Sequence, residues 1–129
     1  MARRGLQAAL TLLGLVAVVF GSLSVLFGGE LVLGAGTVSP SLDSELRYYA
    51  AWYVAAGVVA LRAARSVETE GRTIRALSAA LFTGGCGWVI SLIVVGTPHP
   101  VSLLLMGPEL GLPILLVLWQ ASLARRRIG

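Results

Sequence analysis

Glu109 stands deep inside an apolar stretch, in the run Met106-Gly107-Pro108-Glu109-Leu110-Gly111-Leu112-Pro113. An ionisable side chain at such depth in a membrane segment costs about 2.5 to 3.5 kcal/mol on insertion scales, so it faces a partner or a water cavity rather than lipid. The prolines add polarity beside it. Pro108 removes the helical donor for the carbonyl of Leu104, and Pro113 removes the one for Glu109 itself. Transporters bind ions and substrates at helices interrupted in this way, whereas most proline-containing spans are merely kinked. Arg47, at the start of another apolar run, is the candidate partner, because its long side chain can turn inward as readily as it can snorkel outward. The expected arrangement is a buried Arg47–Glu109 pair that fixes helix register. A proton or substrate site and a charge contact with another subunit are the alternatives. His99, between Pro98 and Pro100, could relay protons to Glu109, although a histidine on an exposed turn is more often simply solvated. No nucleophile with base and orienter, no metal-ligand spacing and no phosphate-cradling loop beside a lysine is present, so no enzyme, metal or cofactor is expected.

Four long apolar runs must position these groups: residues 5–27, 46–64, 76–95 and 101–124. At 1.5 Å per residue each can cross a hydrocarbon core of about 30 Å. With 57% apolar and 12% charged residues among 129, and a mean hydropathy of +0.87, little remains for a water-soluble domain. The expected fold is an all-α membrane protein, a single four-transmembrane-helix bundle. Nine of the ten arginines, Arg3, Arg4, Arg62, Arg65, Arg72, Arg75, Arg125, Arg126 and Arg127, fall on one side of those runs and Arg47 on the other. Positive charge in short loops sets orientation, which places both termini in the cytoplasm. The net charge of +4 then meets an anionic inner leaflet and requires no nucleic acid. Arg3-Arg4 and the first run imitate a secretory signal. The run is too long for one, and Gly28-Gly29-Glu30 is a poor cleavage site, so it is expected to stay. Cys86 alone excludes an internal disulfide and a thiolate metal cluster, and reads as an inert thiol. Arginine without lysine, amid abundant Ala, Gly, Val and Leu, suggests a GC-rich bacterial genome such as an actinobacterial one, and so a multi-pass protein of a bacterial plasma membrane.

Two runs carry small residues along one face. Gly14, Ala17, Gly21, Ser24 and Gly28 do so in the first, and Ala76, Ala80, Gly84, Gly87 and Ser91 in the third. Lipid provides no hydrophobic force between helices, so association depends on close backbone approach, and small residues at this spacing permit it. Either the seams hold the bundle together, or one of them docks a second membrane protein. The second run opens with Tyr48, Tyr49, Trp52 and Tyr53, an aromatic belt suited to the outer interface and its lipids. From Asp43 to Gly57, an acidic residue, Arg47 and paired aromatics, the chain resembles a family of small bacterial four-span membrane proteins of unknown function. The resemblance implies the fold and brings no activity. The leading expectation for function is a non-catalytic accessory subunit packed by a seam against other integral membrane subunits of a cell-envelope complex. Size and class suggest an actinobacterial lipid importer of the Mce type as one candidate complex. A small oligomeric transporter or channel with Glu109 facing a pore is one alternative, and a lipid-binding membrane organiser is the other.

Overall fold

The computed structural model describes residues 2–128, with the backbone alone for Arg127 and Ile128. Four α-helices account for most of it: α1 (Ala2–Phe27), α2 (Pro40–Ala63), α3 (Gly71–Val94) and α4 (Pro100–Ile128). Short 3-10 turns follow α1 at Gly28–Leu31 and α2 at Ala64–Ser66, and no strand occurs among the described residues. All four helices begin earlier than their apolar runs, and at two of the starts a capping side chain is in place. In α2 the Ser39 hydroxyl accepts the Leu42 N–H at 3.2 Å and Pro40 takes the first helical position, where its fixed φ and missing donor fit. Across the tight turn before α4, the His99 ring Nδ1 accepts the N–H of Val101 at 3.2 Å. His99 is thus a cap. It stands ten residues before Glu109, about 15 Å away along a helix and too far for a direct hydrogen bond.

Three of the helices, taken as Ala2–Leu31, Gly71–Val94 and Pro100–Arg126, are long and apolar enough to cross a membrane. α2 is as long, but Asp43, Glu45, Arg47, Arg62 and three tyrosines lower its hydropathy, and it does not qualify by composition. α4 runs through Pro108 and Pro113 as one helix. A proline kinks or weakens a helix without having to end it, and the carbonyls of Leu104 and Glu109 still face prolines that cannot donate to them.

Packing divides the chain into two antiparallel hairpins. α1 lies along α2 at very short range. A Cβ at Gly57 would stand 2.7 Å from the Gly14 carbonyl oxygen, and one at Gly21 would stand 3.0 Å from that of Ala50. In the second hairpin, Gly85 of α3 admits the Leu110 side chain of α4, 2.8 Å from the position of a Cβ. The hairpins join chiefly at the arginine-rich end. Leu6, Leu10, Ala63, Ala64, Val67, Ile74, Leu116 and Leu123 form the buried core there, with Trp119 packed against it and over Gly5. At the opposite end the two hairpins approach through their links, where a Cβ on Gly34 would lie 3.5 Å from that of His99.

Candidate functional site

Two polar joints and one open helix face make up the chemistry of this fold. One joint closes the end of α1. That end turns through Gly28 at φ +61°, a left-handed conformation that suits glycine, and a side chain there would also collide with Asp43. Asp43, in the first turn of α2, accepts the Gly29 N–H at 2.8 Å through Oδ1. Its Oδ2 accepts from Arg47 Nε, also at 2.8 Å. The Arg47 Nη1 in turn donates to the carbonyls of Val25 and Leu26 at 2.8 Å each. These are among the last carbonyls of α1, which the helix itself leaves without donors. The Gly29 amide first, and the Arg47 guanidinium second, hold the Asp43 carboxyl below the usual carboxylate range.

This geometry corrects the expected Arg47–Glu109 pair. Arg47 spends its guanidinium on Asp43 and on the end of α1, so it does not reach Glu109. An acid four residues earlier on the same helix is already at hand, and pairing with it orders less chain than pairing with a residue on another helix. Glu109 is half-buried on α4, with its backbone against Gly85 of α3, and forms no ion pair or hydrogen bond among the described residues.

The other joint, at the arginine-rich end, ties both hairpins to the α2–α3 link. Arg3 pairs with Glu68 and also donates to Gln7 at 3.2 Å. The Gln7 amide donates to the Ala64 carbonyl at 2.8 Å. From the other hairpin the Gln120 amide donates to the carbonyls of Val67 at 3.1 Å and Glu68 at 3.4 Å. Gln120 is only 3% exposed, and Gly71 leaves room for it, since a Cβ there would stand 3.0 Å from its Nε2. Sequence reasoning passed over Gln7 and Gln120. Their signal was available: a glutamine inside an apolar helix costs too much to face lipid and so marks an internal contact.

The two small-residue seams meet opposite fates. That of α1 is consumed by α2: Gly14, Gly21 and Gly28 are buried, and Ala17 and Ser24 half-buried. That of α3 is open along its whole length, with Ala76, Ala80, Gly84, Gly87 and Ser91 all exposed. Nothing lies within 4 Å of where a Cβ would stand on Gly84 or Gly87. α3 meets α4 through Ile74, Ser78 and Gly85 instead. The aromatic belt is likewise outward. Tyr48, Tyr49, Trp52 and Tyr53 are all exposed, and Tyr48 makes edge-on contacts with Tyr49 and Trp52 at 5.7 and 6.3 Å between ring centres. No group of three or more potential metal ligands occurs among the described residues.

No curated protein and no solved structure is significantly similar to this chain. A family profile described as a domain of unknown function, DUF4345, matches residues 5–120, a stretch that takes in the Asp43–Arg47 joint, the open face of α3 and all of the other joint except Arg3. The chain therefore belongs to the DUF4345 family.

Proposed function

We propose that the chain is a non-catalytic accessory subunit that crosses a bacterial plasma membrane four times and docks by the open face of α3 against a larger membrane complex. The observation that supports docking is the contrast between the seams: one is filled by α2, while the other presents five small residues to the surroundings. Bare backbone of this kind is what another helix needs for close approach in lipid. Four crossings are supported by the pairing of the first hairpin. α2 touches α1 from Gly57 opposite Gly14 to Arg47 opposite Val25, so a crossing by α1 carries α2 across with it. Cytoplasmic termini are supported by the nine arginines. Among candidate complexes, a lipid importer of the Mce type rests on size and class alone.

The docking test uses a chromosomally tagged copy purified in mild detergent. The double variant Gly84→Leu, Gly87→Leu is expected to lose the partner subunits that wild type retains, while keeping its helicity and its monodisperse elution. Leucine is a better helix former than glycine by up to about 1 kcal/mol, and both sites are open, so unfolding gives no competing explanation. Retention of the same partners by the double variant overturns the proposal. So does a purified protein that by itself moves a solute into liposomes and stops doing so as Glu109→Gln, which establishes the transporter alternative.

Orientation has its own check. With Cys86 replaced by serine, a cysteine at Ser41 should react with an impermeant reagent on intact cells and one at Glu70 should not. The reverse pattern inverts the topology.

A further inference from the structure

A second feature of the α3–α4 hairpin lies away from the small-residue seam. A groove of about 380 Å³ runs between the two helices, walled by Phe82 of α3 and by Pro113, Val117 and Leu118 of α4, with Arg75 and Ser78 also lining it. Two observations separate it from an ordinary crevice. Ser78 is buried, with only 3% of the residue exposed, yet its hydroxyl has no hydrogen-bond partner among the described residues. A buried hydroxyl left so is costly and calls for an acceptor. Arg75, for its part, is exposed near the arginine-rich end of α3 and makes no ion pair among the described residues.

Both helices are apolar enough to span a membrane, so the medium that fills the groove is lipid. The order of groups along α3 matches the order along a phospholipid. Arg75 stands nearest the helix start, where a headgroup phosphate lies. Ser78 is three residues on, about 4.5 Å deeper, at the level of the glycerol ester carbonyls. Phe82 is four residues further and about 6 Å deeper again, among the acyl chains. The groove walls below Ser78 are apolar and accept a chain without polar cost.

We propose that this groove holds one anionic phospholipid from the leaflet at the arginine-rich end. Its phosphate pairs with Arg75, an ester carbonyl accepts from the Ser78 hydroxyl, and one acyl chain lies against Phe82 and Val117. The site requires only that α3 and α4 span the bilayer, and it is independent of any docking by the small-residue seam.

Native mass spectrometry of the purified full chain tests this, with equal amounts of dioleoyl phosphatidylglycerol and dioleoyl phosphatidylcholine added in detergent. Wild type is expected to retain one phosphatidylglycerol with a preference of about fivefold, the worth of one basic residue at the membrane surface. Arg75→Gln should bring the two lipids to parity. Ala79→Trp, which fills the groove from another of its lining positions, should abolish retention of both. Arg72→Gln removes an arginine from the same end that does not line the groove, and should leave the preference intact. Equal retention of the two lipids by wild type overturns the site, as does a preference that survives Arg75→Gln. A loss of preference in Arg72→Gln as large as in Arg75→Gln also overturns it, since the effect is then general surface charge. Because the readout is a lipid on the isolated chain, its failure leaves the partner-docking reading untouched, and the reverse holds as well.

Discussion

Gly57→Leu is expected to force α1 and α2 apart and to cost about 3 kcal/mol, the upper end of the usual penalty for overpacking. The estimate follows from what surrounds the site. A Cβ on Gly57 would already lie 2.7 Å from both the Gly14 carbonyl oxygen and the Val18 side chain. One of these is backbone, which cannot rotate out of the way. Leucine adds three more carbons in the same direction, so the helices must separate along the whole seam. In water, burial of the leucine would recover part of that loss. In lipid it recovers little, because the exposed alternative is as apolar as the buried one. Gly84→Leu is the matched control, expected to be no less stable than wild type and more stable by up to about 1 kcal/mol, since the site is open. Loss of helicity against a denaturing detergent, followed in mixed micelles, measures both. Equal midpoints for the two variants would show that the seam between α1 and α2 is not close-packed.

Gln120→Leu is expected to cost about 1 to 3 kcal/mol, the penalty for stranding buried acceptors, even though it makes α4 more apolar. The carbonyls of Val67 and Glu68 lose the amide that reaches them at 3.1 and 3.4 Å. The two hairpins then hold each other by the apolar core at that end and by Arg3 and Gln7. Hydrogen exchange localises the effect. The amides of residues 67–71 should exchange faster than in wild type, while those in the middle of α1 and α2, which rest on their own seam, should not change. An unchanged rate across the link would remove Gln120 from the joint.

Much of the fold was legible because the bilayer constrains it so strongly. Four apolar runs and the short polar links between them located the helices to within six residues at each end, although α2 proved too polar to qualify as a span by composition. The partners of individual side chains were less legible. Arg47 could have been matched with Asp43 by their spacing of four on one helix, a local pattern with a physical basis. Its bonds to Val25 and Leu26 could not, since they depend on where α1 ends and how closely it approaches α2. The seams show the limit more sharply. Gly14 with Gly21, and Gly84 with Gly87, are alike as sequence, and what separates them is the complementary Gly57 on the helix facing the first pair. A small residue announces that close approach is possible. It does not announce which helix arrives.

The division into two hairpins joined chiefly at one end has a consequence for how the chain is made. Synthesis runs from the N-terminus, so the contacts of α1 with α2 are all available once residue 63 has left the ribosome. The amide that ties the second hairpin to the first belongs to Gln120, near the end of the chain. The first hairpin is therefore complete while the second is still being translated. A chain truncated before residue 120 keeps a well-paired first half and an undocked second half. Such products should be recognised and degraded through the loose second hairpin, leaving the glycine-paired first hairpin as the longest-lived fragment.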